Sequence, residues 1–259
     1  MTTHKLSQML NKVPEVTLYF WIIKVLATTV GETAADFLST TLRLGTMNTS
    51  IVIGVLFLLA LAVQLRLRRY VPSVYWLVVV LVSVVGTLAS DNLVDTLGIP
   101  LRTTSILFAA ALAIVFLLWW ISERTLSVHS IHTTRRELFY WSAILFTFAL
   151  GTSAGDLAAE SSGLGYALSA LMFAGAIAVT ALAYYGFKVN GVLTFWIAYI
   201  LTRPVGASLG DLLSQAKGDG GVGFGTTVTS GLFLLTIVGL VTYLAITRAD
   251  DIPPERTVA

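Results

Sequence analysis

The chain has 259 residues, 56% of them hydrophobic and only 12% charged, with a formal net charge of +2. Soluble domains carry roughly 25% charged residues, so a mean hydropathy of +0.84 with repeated apolar runs excludes an ordinary soluble domain and predicts an all-α polytopic membrane protein. The small net charge gives no footing for nucleic acid, and the absence of cysteine excludes disulfides, thiolate metal sites and cysteine nucleophiles.

The first residues, MTTHKLSQMLNKVPEV, lack a cleavable signal pattern, so the apolar run 15–38 reads as a first spanning helix. Further runs of spanning length fall near 49–66, 72–94, 104–122, 138–158, 164–187, 191–213 and 228–247. Eight spans place both termini on one side. On that side lie Lys5, Lys12, Arg66, Arg68, Arg69, Arg124, Arg135, Arg136, Lys188, Arg248 and Arg256, eleven cations against Arg43, Arg102 and Lys217 opposite. The positive-inside rule therefore predicts cytoplasmic termini and a cell (inner) membrane location. No polar stretch is long enough for a core of its own, so 1–259 reads as a single transmembrane domain.

The odd-numbered spans share a motif. WIIKVLATTVGETAAD, WLVVVLVSVVGTLASD, WSAILFTFALGTSAGD and WIAYILTRPVGASLGD all read W-x9-G-x4-D without a gap. The tryptophans are Trp21, Trp76, Trp141 and Trp196; the glycines are Gly31, Gly86, Gly151 and Gly206; the aspartates are Asp36, Asp91, Asp156 and Asp211. Copies start 55, 65 and 55 residues apart, which is one helical hairpin each, over about 15–70, 71–128, 135–189 and 190–248. A two-span unit returns the chain to its starting side. All four hairpins thus share one orientation, related by a pseudo-symmetry axis along the membrane normal.

This fourfold hairpin, together with KVPEVTLYFWIIKVLATTVGETAADF in the first helix, resembles a family of bacterial integral membrane proteins. That family is defined by a tandem "repeat of unknown function" with two transmembrane segments. The resemblance covers about residues 12–248. It implies the eight-span architecture and brings no biochemical activity, so function has to come from the residues.

On an α-helix, the motif's Trp and Asp lie within about 60° of each other and about 22 Å apart in depth. The tryptophans then sit near the cytoplasmic end, as an interfacial belt or as a plug on the central face. Each glycine opens a small-xxx-small pair (Gly31/Ala35, Gly86/Ser90, Gly151/Gly155, Gly206/Gly210), which allows close helix approach or, alternatively, a helix break. One carboxylate per hairpin at a shared depth suggests an acidic ring facing the axis, an arrangement that selects cations. One turn before the aspartates come Glu32, Thr87, Thr152 and Ala207; one turn after come Thr40, Asp95, Glu160 and Gln215. If the helices continue, oxygen ligands stack in tiers suited to Mg²⁺, Ca²⁺ or Mn²⁺. The expected ion-binding residues are therefore Asp36, Asp91, Asp156 and Asp211, which would also be the metal ligands, with Glu32, Asp95 and Glu160 around them.

Lys24 and Arg203 fall inside spans, where ionisable residues are costly and usually functional. Neither sits over its own helix's Asp, so each pairs with a neighbour's carboxylate or acts as a counter-charge. Pro204 should kink or unwind its helix. GDGGVG at 218–223 follows no strand and reads as a loop, and His129 and His132 read as a solvated linker or a metal-loading spot. No catalytic base or nucleophile accompanies the acids, so the expectation is a non-enzymatic transporter of a small cation, without cofactor, surrounded by lipid and coupled to protons. The alternatives are a carrier of another solute built on Arg203 and Lys24, and a sensor or scaffold.

Overall fold

The computed structural model describes residues 11–250; Lys5 and Arg256, counted above, lie outside them. Eight long helices run in chain order: α1 Leu18–Asp36, α2 Thr46–Arg66, α3 Pro72–Asp91, α4 Leu101–Glu123, α5 Thr134–Asp156, α6 Gly165–Phe187, α7 Gly191–Ser214 and α8 Gly225–Thr247. Local chemistry sets their starts. Thr17 and Thr133 cap α1 and α5 by accepting from Phe20 N and Arg136 N, Pro72 opens α3, and Asn190 Oδ1 accepts from Val192 N and Leu193 N at α7. Helices α4, α6 and α8 end on Arg124, Lys188 and Arg248 in the left-handed region, at φ 55°, 53° and 54°. Basic residues thus close these three helix C-termini, where the helix dipole favours a cation.

Seven of these helices are long and apolar enough to cross a membrane. α1 fails that test because it carries Lys24, Glu32 and Asp36. Its place in the bundle explains how it tolerates them. Helices α1, α3, α5 and α7 close into an inner ring in that order, each packed on its two neighbours. The spans built on α3, α5 and α7 bury 61, 61 and 56% of their residues, against 22, 17, 11 and 28% for α2, α4, α6 and α8. The even helices are therefore an outer shell whose exposed Leu, Ile, Val and Phe side chains suit lipid.

The outer shell is staggered. α2 packs mainly on α3, α4 on α5, α6 on α7, and α8 returns to cover α1. The sequence repeat is a hairpin, as expected, but the packing unit joins one repeat's second helix to the next repeat's first. The first and last described segments meet at the same end of the bundle, where Glu15 N donates to Asp250 O at 3.2 Å.

The inner ring is sealed by the motif glycines. A methyl on Gly31 would overlap Ser83, on Gly86 Phe148, on Gly151 Arg203, and on Gly206 Thr28. In every case the facing residue lies three positions before the next repeat's glycine, so one contact recurs around all four seams. The helices run unbroken through these glycines, which settles their role as close-packing positions. α7 also continues through Pro204, so the expected unwinding does not occur.

Candidate functional site

At the termini end the inner ring is filled by rings. Each motif tryptophan is preceded by an aromatic residue: Phe20, Tyr75, Tyr140 and Phe195. Each of these packs on the tryptophan of the following repeat. The centroid distances are 5.7 Å for Phe20–Trp76, 5.5 Å for Tyr75–Trp141, 6.3 Å for Tyr140–Trp196 and 5.8 Å for Phe195–Trp21. Trp76, Trp141 and Trp196 are buried. Three of the tryptophans therefore do not face lipid as a belt; they are buried at the seams between inner helices, and Trp196 also packs on Phe116 and Trp119 of α4. Trp21 alone is half-buried, because it borders an open cleft of about 660 Å³ between α1, α6 and α7, lined also by Tyr184, Tyr185 and Phe195. This cleft lies away from the repeat aspartates.

One turn further along the axis lies Lys24, level with Val79, Ile144 and Tyr199 of the other repeats. It is 1% exposed. Its Nζ sits 3.9 Å from the Phe148 ring centroid and 4.1 Å from that of Tyr199, with no hydrogen-bond partner. Cation–π contact contributes about 0.5–2 kcal/mol, less than the several kcal/mol that burying an ion costs. No carboxylate pairs with it.

Arg203 occupies the next layer and is fully buried. Its guanidinium reaches all three other inner helices. Nε donates to Phe148 O at 3.4 Å; NH1 donates to Thr28 O; NH2 donates to Thr152 Oγ1 at 2.7 Å, to Thr87 Oγ1, and to Glu32 Oε2 at 3.0 Å. Three of the four residues that follow the motif glycine thus converge on one group. The fourth, Ala207, is the small residue on Arg203's own helix, one turn along. The ion pair with Glu32 bears out pairing with a neighbour's carboxylate for Arg203, and not for Lys24.

Beyond this layer stand the four aspartates. Asp36, Asp91 and Asp156 are half-buried and Asp211 is 7% exposed. Their carboxylates make no hydrogen bond or ion pair among the described residues. They do feel one another around the ring: Asp91 interacts electrostatically with Asp36, Asp156 with Asp91, and Asp211 with both Asp156 and Asp36. The expected acidic layer is thus four carboxylates within electrostatic reach of one another and of Glu32. As a set of metal ligands it needs correction. Among the described residues, no three His, Cys, Asp or Glu side chains come close enough to hold one metal ion. The reason is geometric: Asp has a short side chain, and packed helix axes stand about 8–10 Å apart.

The outer tier also differs from expectation. Three inner helices change to π-helix just after the aspartate, over Phe37–Thr41, Asn92–Thr96 and Leu157–Ser161, while α7 stays α-helical to Ser214. The wider π turn resets the register that continued α-helix would give. Asp95 and Glu160 end exposed at the rim, with Glu160 accepting from Tyr166 OH at 3.4 Å. Glu32 belongs to the Arg203 layer rather than to the ring. His129 and His132 do not join as a metal site: His129 Nε2 faces Glu15 at 3.7 Å, and His132 Nδ1 is buried without a partner.

The family profile described as Repeat of Unknown Function (DUF347) matches residues 19–70, 74–125, 139–190 and 194–250. The chain belongs to this family. Each match spans one inner helix and the outer helix that follows it, so the family's repeat is the sequence hairpin and not the staggered packing pair. Neither the curated proteins nor the solved structures contain a match to the chain.

Proposed function

We propose that this protein is a membrane carrier for a small cation, with Mg²⁺, Ca²⁺ and Mn²⁺ as first candidates, in a bacterial cytoplasmic membrane with both termini inside. The observation that carries the reading is the set of four repeat carboxylates, three half-buried and Asp211 buried, without an ion-pair or hydrogen-bond partner among the described residues, standing over a buried Arg203–Glu32 pair. Carboxylate rings concentrate and select cations. A spacing too wide for direct chelation fits an ion that enters with part of its water shell, as Mg²⁺ commonly does. Arg203 blocks the axis just inside the ring, so passage requires the layer to rearrange, which is the behaviour of a carrier rather than an open channel. Binding an anion at Arg203 and Lys24 is the weaker reading, since the Arg203 guanidinium is already engaged by three neighbouring helices.

The test is flux in proteoliposomes. Purified protein is screened for uptake of Mg²⁺, Ca²⁺, Mn²⁺ and Na⁺ with and without a pH gradient, beside Asp36→Asn and Asp156→Asn. The expected result is saturable uptake of at least one ion, lost in both variants while their melting temperatures stay near wild type. A folded wild type that moves none of these ions, and is stabilised by none, overturns the reading. Variants that fail to fold would instead assign the aspartates to a scaffold.

A further inference from the structure

Three ionisable residues break the fourfold pattern of the inner ring. Lys24 stands where the other repeats have Val79, Ile144 and Tyr199; Arg203 where they have Thr28, Ser83 and Phe148; Glu32 where they have Thr87, Thr152 and Ala207. All three lie inside the ring, between the aromatic layer and the aspartates. Their charges do not balance. Arg203 keeps its proton in any protein environment and is matched by Glu32 at 3.0 Å. Among the described residues Lys24 then has no counter-ion, and its Nζ has no acceptor.

The groups around Lys24 can be named helix by helix. α7 presents Tyr199 and Arg203, α5 presents Phe148 with Tyr140 beyond it, α3 contributes Tyr75, and α1 itself carries Glu32. α8, which covers α1, has no charged residue. Nothing in this set compensates an ammonium except two ring faces. A neutral amine leaves the layer uncharged, and a proton on Nζ makes it positive. The Tyr75 and Tyr140 hydroxyls, 2.5 Å apart, lie on the termini side of this position, with Tyr140 in electrostatic reach of Tyr199.

We propose that Lys24 is the proton-binding group of the carrier. The proposal rests on the cation-carrier reading and names its coupling site. The amine is neutral while Arg203 is locked onto Glu32, Thr87 and Thr152. When that lock releases, the Nζ lone pair forms an N–H bond to a proton given up by a hydronium ion, whose O–H bond breaks to leave water, and the reverse step later returns the proton to a water molecule. A protonated Lys24 beside Arg203 repels a cation held at the aspartate ring, so proton and cation occupy the protein in alternation, and the carrier exchanges one for the other.

The test compares wild type with Lys24→Met and Lys24→Arg in proteoliposomes, using whichever of Mg²⁺, Ca²⁺, Mn²⁺ or Na⁺ the wild type transports and a pH dye inside the vesicles. Wild-type uptake rises with an imposed pH gradient and moves protons outward with cation entry. Lys24→Met is expected to keep cation-for-cation exchange while losing about ten-fold or more of the stimulation by the gradient, the size of an ordinary site-to-site coupling; Lys24→Arg, permanently charged, is expected to lose cation uptake with or without the gradient. Variants that retain gradient-driven uptake overturn the proposal and leave the carrier reading intact. A wild type that moves no cation removes the carrier reading instead. Lys24 is then judged on the wild-type protein alone, by NMR of lysine labelled at Cε: of the five lysine resonances, one should report a neutral amine at neutral pH. Ammonium signals from every lysine overturn the proposal even if every variant misfolds.

Discussion

The symmetric layers of the inner ring and its asymmetric middle do different work. Aromatic–tryptophan pairs, glycine seams and aspartates repeat around the four helices with the same partners at each step. The layer holding Lys24, Glu32 and Arg203 repeats nothing. Four equivalent seams hold four helices in register on a motif glycine, and at three of them the facing residue is Thr28, Ser83 or Phe148, which is inexpensive in lipid. A buried ion pair is a poor way to add stability, since removing two charges from water costs several kcal/mol per ion. The asymmetric layer is therefore where substrate choice and coupling are expected to reside, and the symmetric layers are the frame that keeps it dry and aligned.

Substitutions can break this contrast in order of size. Glu32→Leu leaves the Arg203 charge buried without its partner and should cost about 3–5 kcal/mol, read as a large drop in melting temperature in detergent. Adding Arg203→Met to Glu32→Leu should restore most of that stability, because an apolar pair of similar volume replaces the ion pair, while transport stays lost. If the double variant is no better than the single, the layer is structural glue and the contrast fails. Gly86→Leu should cost about 1–3 kcal/mol or more by overpacking the α3–α5 seam. Gly54 and Gly175, on outer helices with open space around them, should instead gain about 0.5–1 kcal/mol on change to Ala. Equal effects at inner and outer glycines would deny the seams their role. Tyr75→Phe removes one hydroxyl of the Tyr75–Tyr140 pair and should cost about 1 kcal/mol, measured by the same thermal assay.

The smallest effect lies outside the spans. Burial, followed by the nearby Arg136, holds His132 below its ordinary range. A histidine whose pKa is lower in the folded state supports stability above its unfolded pKa and withdraws that support as pH falls through it. Thermal stability should therefore decline slightly on moving from neutral pH into the acid range, and His132→Gln should flatten that decline.

Much of this was readable in the residues. The repeat spacing gave the span number and orientation of the hairpins, and the small-xxx-small pairs identified the seams, because both depend only on positions along one helix. Asp36, Asp91, Asp156 and Asp211 could be placed in one layer for the same reason. What sequence reasoning missed depends on how helices are turned toward each other. The aromatic before each tryptophan was visible at Phe20, Tyr75, Tyr140 and Phe195, and reading the motif as aromatic-W-x9-G-x4-D would have exposed the buried layer. The convergence of Thr87, Thr152 and Glu32 on Arg203 was not readable, since helical arithmetic gives an angle on one helix and no phase for its neighbour. The π turns after three of the aspartates were equally hidden, and they move Asp95 and Glu160 from the expected tier to the rim.

The return of α8 to α1 has a consequence for biogenesis. α1 carries both Lys24 and Glu32 buried within its span and is the first of the eight helices to leave the ribosome, yet both groups that accommodate it arrive late. Glu32 waits for Arg203, 171 residues further on, and the outer face of α1 waits for the last helix of all. At about 5–20 residues per second, that interval is on the order of ten to thirty seconds. Until then α1 carries Lys24 and Glu32 without the contacts that bury them.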